Sequence, residues 1–196
     1  MKLKTLANLC KRRGSFRLYD RVDENGEVLG QWLGTGGAVY PLVGLPYLTE
    51  DHLVTMFDIT EKQRENLFIG HDKTPPHINF SHADEKEYII DPEKFTLGYD
   101  NHIVKPLITR RGLALVDCDW LTPLSDVEDN LELYAREDPS GQIYFAAKLG
   151  LMVVGIIMPM KHVEARIAHA VEDVAGLMRA ALVEAERREG TDDAES

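Results

Sequence analysis

Residues 151–158, LMVVGIIM, are apolar apart from Gly155, and Pro159 ends the run. A run this short, set between Gly150 and Pro159, suits a strand covered on both faces. Such a strand needs one layer of chain on each side of its sheet. The residues before it supply neighbours. Residues 131–136, LELYAR, alternate apolar and polar, the period of a half-buried strand. Asp138-Pro-Ser-Gly141 reads as a turn, with Pro139 fixing φ and Gly141 accepting positive φ. Residues 142–147 are the return strand. Upstream, 113–116 is a short apolar strand. Thr122 and Pro123 then open a short helix, with Leu124 and Val127 on one face. The stretch 112–161 therefore reads strand, short helix and a three-stranded meander.

A weaker copy of this pattern lies 115 residues earlier. Leu6 and Leu9 match Leu121 and Leu124. Leu18, Tyr19 and Arg21 match Leu133, Tyr134 and Arg136. Asp23, Gly26 and Val28 match Asp138, Gly141 and Ile143. The repeat predicts two related half-units, 3–42 and 118–159, packed about a pseudo-twofold axis. Chance is the competing account, because helix-then-hairpin is a common order.

The expected fold class is α+β: one mixed domain over 1–160, a long C-terminal helix over 161–189, and a disordered acidic tail over 190–196. In the N-terminal part, residues 3–13 have helical spacing with Gly14 as the stop. Asn25-Gly26 joins strands 16–22 and 28–33. Thr49 and Thr60 each cap a short helix, with His52 and Gln63 in the capping-box position. Short strands are expected at 88–91, 95–99 and 102–107. The helix at 161–188 carries Val163, Ile167, Ala170, Val174, Leu177 and Ala181 at alternating spacings of four and three. Its first half, 163–174, should dock on the body. Leu177, Met178, Ala181, Leu182 and Ala185 should project and mediate self-association or contact with a protein partner.

Charge bears on function. The net charge is −11, yet residues 1–21 carry seven cations against Asp20. An acidic body resists nonspecific binding to nucleic acid, while a basic face of Lys4, Lys11, Arg12, Arg13 and Arg17 could contact phosphates. The plainer reading of Lys11-Arg12-Arg13 is a solvated helix end favoured by the dipole. Cys10 and Cys118 form no CxxC and read as buried thiols of a reducing compartment. The chain lacks a leader-like N-terminus and any run long enough to span a bilayer, so a cytoplasmic protein is expected.

Catalytic patterns are weak. Gly34-Thr-Gly-Gly37 lacks the lysine of a P-loop and the third glycine of a dinucleotide loop, which leaves a glycine turn. Residues 70–87 look irregular and hold His71, His77 and His82. With Asp117 and Asp119 they form the metal-enzyme alternative, against a polar surface loop and a solvated acid pair. No cofactor is expected.

Two resemblances arise. Through TLANLCKR, QWLGTGGAVYPL, MFDITEKQRE and MVVGIIMP, the whole chain resembles uncharacterised proteins of phages and prophages of gut Firmicutes, which implies a phage setting in a bacterial host cell. The repeat, with its closing Met158-Pro159-Met160, resembles half-units of DNA sliding clamps over about half the chain. That likeness implies a DNA-processing accessory with basic helices facing the duplex. The 115-residue offset, the acidic second helix and the long final helix depart from the clamp pattern. Together these give the expectation of a non-enzymatic binding protein.

Overall fold

The computed structural model describes residues 2–93, 95–161, 163 and 165–192. Helix α1 (Leu3–Arg12) leads into strands β1 (Ser15–Val22), β2 (Val28–Gly34) and β3 (Ala38–Pro41). Helices α2 (Glu50–Met56) and α3 (Glu61–Arg64) follow, then β4 (Phe68–Lys73) and β5 (Tyr88–Ile90). Strands β6 (Leu97–Tyr99), β7 (His102–Thr109) and β8 (Gly112–Asp117) precede two 3₁₀ turns, Cys118–Leu124 and Glu128–Asn130. Strands β9 (Leu131–Glu137), β10 (Ile143–Leu149) and β11 (Met152–Ile157) end in α4 (Ala165–Asp192). The architecture is mixed α+β with a C-terminal helix.

The main sheet runs β4-β1-β2-β3-β11-β10-β9-β5, and β6-β7-β8 form a smaller one. Strands β1-β2-β3 and β9-β10-β11 are each antiparallel meanders, and they meet where Val39 pairs with Ile156 and Ala38 with Ile157. One step further along this register, Tyr40 faces Gly155. A Cβ on Gly155 would sit 3.3 Å from the Tyr40 ring, so the ring fills room that glycine leaves. Tyr40 is fully buried and its hydroxyl donates to the Trp120 carbonyl. Burial raises this phenol well above its ordinary value.

The front face of the sheet carries the larger core. Leu6, Leu9 and Cys10 of α1 pack with Phe16, Leu18 and Leu33, and Leu107 and Val116 of the small sheet join the same cluster. Each such side chain contributes about 1.5–3 kcal/mol on full burial. The back face is closed by residues 74–87, which cross it as a strap. Phe80 meets Trp32 edge-on at 5.0 Å, and the Asn79 N–H donates to the Tyr144 hydroxyl at 3.0 Å. Arg136 is 1% exposed. It donates to Glu87 (2.6 and 2.8 Å) and to the carbonyls of Asn79 (2.8 Å) and Ser81 (2.9 Å). Lys148 pairs with the other oxygen of Glu87.

Several expectations need correction. The stretch 70–87, expected as a polar surface loop, is irregular only from residue 74 onward, and there it buries Phe80. Its first residues complete β4, parallel to β1, and the rest is the strap. Alternation could not reveal this, because the strap is fixed by partners far away in sequence. The short helix expected from Thr122 starts earlier as a 3₁₀ turn. The Asp117 side chain caps it by accepting from the Asp119 N–H at 2.9 Å. Pro123 inside it lacks the N–H an α-helix would need. The final helix continues to Asp192, so residues 190–192 of the expected tail are helical, while 193–196 lie outside the described residues. The run 151–158 is covered only from Val153 onward; Leu151 is 88% exposed.

Candidate functional site

Helix α4 changes character along its length. Ile167, Ala168 and Val171 are half-buried, and Ala175 is fully buried. The Glu172 carboxylate accepts from the Leu113 N–H at 3.0 Å, which ties the helix to β8. Arg179 pairs with Glu93 at 3.1 Å. Docking thus reaches Ala175, but on the face of Ala168, Val171 and Ala175; Ala170 and Val174 of the expected docking stripe are exposed. Every residue over 176–184 is exposed, and Leu177 is 72% exposed, with Met178, Ala181, Leu182 and Val183 beside it. The Ala185 side chain lies outside the described residues. Among the described residues, no helix is long and apolar enough to cross a membrane.

The basic N-terminal residues take separate roles. Alternation along β1 sends Phe16 and Leu18 towards α1 and Arg17 to the back, where its guanidinium lies 4.8 Å from the Phe68 ring centre. Lys11 donates to the Phe57 carbonyl at 2.7 Å and so caps the C-terminus of α2. Arg12 reaches Asp119 at 3.3 Å. Arg13 pairs with Asp117, and with Asp119 at 3.1 Å. His102 Nδ1 also contacts Asp117 at 2.8 Å. The Arg13 guanidinium lies against the same His102 Nδ1 at 3.1 Å. Lys4, Asn8 and Arg12 form the exposed stripe of α1.

Asp117 and Asp119, candidates for a metal pair, are therefore counter-ions of α1. The helix end is neutralised by acids more than a hundred residues away, rather than left in solvent. No local pattern signals such a pairing.

The three histidines stand apart. His71 lies on β4 and meets Asp20 at 2.9 Å. Asp20 also accepts from Gln31 and Tyr47, both at 2.8 Å. Burial pushes this carboxyl up, but the bonds from His71, Gln31 and Tyr47 outweigh it and hold it below its ordinary value. His82 Nδ1 accepts from the Val153 N–H at 3.2 Å, fastening the strap to β11. His77 lines an open groove of about 1680 Å³ beside the strap, where cations such as Lys86 alternate with acids such as Glu85. Among the described residues, no three His, Cys, Asp or Glu side chains gather as a metal site.

Cys10 is buried, and burial pushes its thiol up to about 12. Cys118 is half-buried and is raised mainly by burial. The glycine loop is a packing device. A Cβ on Gly34 would strike the Ala38 carbonyl, and one on Gly37 would strike the Trp120 ring. No family model matches this chain, and no curated protein or solved structure matches it either.

Proposed function

We propose that this protein acts by binding partners rather than by catalysis, and that the outer half of α4 is one of its contact surfaces. The observation that carries this reading is the change within α4 from buried Ala175 to exposed Leu177. Ala170, Val174, Leu177 and Ala181 are exposed at spacings of four, three and four, the seam that a second long helix fits. The occupant is a second copy of α4. Truncation after Val174 tests it by sedimentation. The full chain should form the larger assembly and the truncated chain a folded, smaller one. Equal masses in solution would remove α4 from the function.

The frame reads as two related half-units of clamp-like build. Support comes from the 115-residue correspondence, from the helix or 3₁₀ turn that precedes each meander, and from the antiparallel pairing of β3 with β11 beside Tyr40 and Gly155. The phage setting rests on the sequence resemblance alone. DNA contact is the sharper version. It is favoured by the exposed stripe of Lys4, Asn8 and Arg12, of which Arg12 also pairs with Asp119, while Lys11 and Arg13 are engaged inside the protein. Salt-sensitive binding of a labelled duplex, lost in Lys4→Glu with Arg12→Glu, would support it. Absence of wild-type binding at low salt would end it.

A further inference from the structure

Three segments distant in sequence bring exposed apolar side chains to one end of the main sheet. The first is the start of β2. There Arg21 pairs with Gly30 and Val22 with Val28, so a β-bulge leaves Leu29 unpaired and 61% exposed. The second follows β3. Strand β3 runs towards the start of β2, and the Leu42 N–H still donates to the Gln31 carbonyl at 2.8 Å. Beyond it lie Val43, 74% exposed, and Leu45. The third is the turn between β10 and β11. Leu149 pairs with Met152 across Gly150 and Leu151. The Val39–Ile156 register carries the chain after Pro41 to the same rim as Met152.

Turn geometry does not explain Leu151. A two-residue hairpin turn favours Gly, Asn or Asp, and Gly150 (φ +59°) already meets that need. Leu151 at the tip gains nothing from the turn. Isolated exposed apolar residues are ordinary, but exposed apolar ends on four neighbouring strands at one rim mark a contact surface. The flanks are mainly acidic. Asp23, Glu24 and Glu27 lie at the β1–β2 tip, and Glu128, Asp129 and Glu132 at the start of β9, with Lys73 at the end of β4, Lys105 beside Glu128, and Arg21 and Lys86 along the groove that Leu29 lines.

We infer that this rim is a docking surface for an amphipathic segment of another protein, apolar in the centre and flanked by lysine or arginine. The flanking charge selects the occupant. Two copies meeting here would oppose like charges, and an anionic lipid surface would be repelled. The surface is separate from α4 and does not depend on its role.

The probe is a fluorescein-labelled 18-residue peptide of Leu and Lys at helical spacing, titrated with the full chain and read by anisotropy. The wild type should bind it, more weakly as salt rises. Val43→Glu with Leu151→Glu should weaken binding at least tenfold while leaving the melting temperature unchanged. Because these substitutions add negative charge, nonspecific attraction would rise instead, so a loss reports the apolar seat. Leu177→Glu on α4 should leave binding intact. The inference is overturned if the wild type fails to bind, if the double variant binds equally, or if a Leu/Glu peptide binds as well. A wild-type dimer dissolved by the two rim substitutions would also overturn it, in favour of self-association.

Discussion

The hairpins β1–β2 and β9–β10 are built alike at the tip and differently everywhere else. Asp23 Oδ1 accepts from the N–H groups of Asn25 (2.9 Å) and Glu27 (2.8 Å), and Asp138 Oδ1 from those of Ser140 (2.8 Å) and Gln142 (2.9 Å). Gly26 and Gly141 take φ of +85° and +82°. Behind the tips the likeness fails. Arg136 is sealed beneath the strap, while its counterpart Arg21 is half-buried and donates to the Ser81 hydroxyl at 3.5 Å. Helix α1 spans ten residues, while β9 is preceded by 3₁₀ turns. A turn is specified by its own few residues; a buried charge or a helix layer is specified by what packs on it.

The largest expected effect separates the two arginines. Arg136→Ala leaves Glu87 with Lys148 alone and two strap carbonyls unpaired, so it should cost about 3–5 kcal/mol in urea unfolding. Arg21→Ala should cost about 1 kcal/mol or less. Equal losses would mean that the strap is held symmetrically.

At the centre of the sheet, Gly155→Ala would press a methyl against Tyr40 and Leu124, each within 3.4 Å. Overpacking of this kind costs about 1–3 kcal/mol. Gly36→Ala, with nothing within 4 Å, should leave the melting temperature unchanged. An unaffected Gly155→Ala protein would show that Tyr40 has room to move and that the two meanders do not depend on this contact.

The smallest effects belong to the turns. The Glu27 and Asn25 N–H groups hold Asp23 below its ordinary pKa, and Ser140 with the Gln142 N–H does the same for Asp138. With a depressed folded-state pKa, each contribution is complete above the unfolded value, near 4, and fades as pH falls through the folded value. Asp23→Asn and Asp138→Asn should therefore lower the urea midpoint by equal, small amounts at pH 7 and by less at pH 3. Unequal changes would break the likeness of the two tips.

The parts legible in sequence were those that short windows encode. Gly14 stopping α1, the Thr49–His52 and Thr60–Gln63 capping boxes, both hairpin tips and the apolar stripe of α4 all follow from neighbours within a few residues. The apolar run at 151–158 announced β11 but not that its first residues would stand in solvent. Hydropathy reports what a residue prefers, not where a strand begins relative to its neighbours.

The chain by itself therefore marked most of its elements and their turns, but not β4, the 3₁₀ form of residues 118–124 or which face of α4 docks. Tertiary structure alone decided that α1's cations meet Asp117 and Asp119, that three histidines are dispersed, and that 74–87 close the back of the sheet. It alone gathered Leu29, Val43 and Leu151 at one rim. The physical reason is range. Backbone propensity and capping act over a turn or two, whereas ion pairs, strap contacts and surface patches join residues whose separation in sequence carries no information about their distance in space.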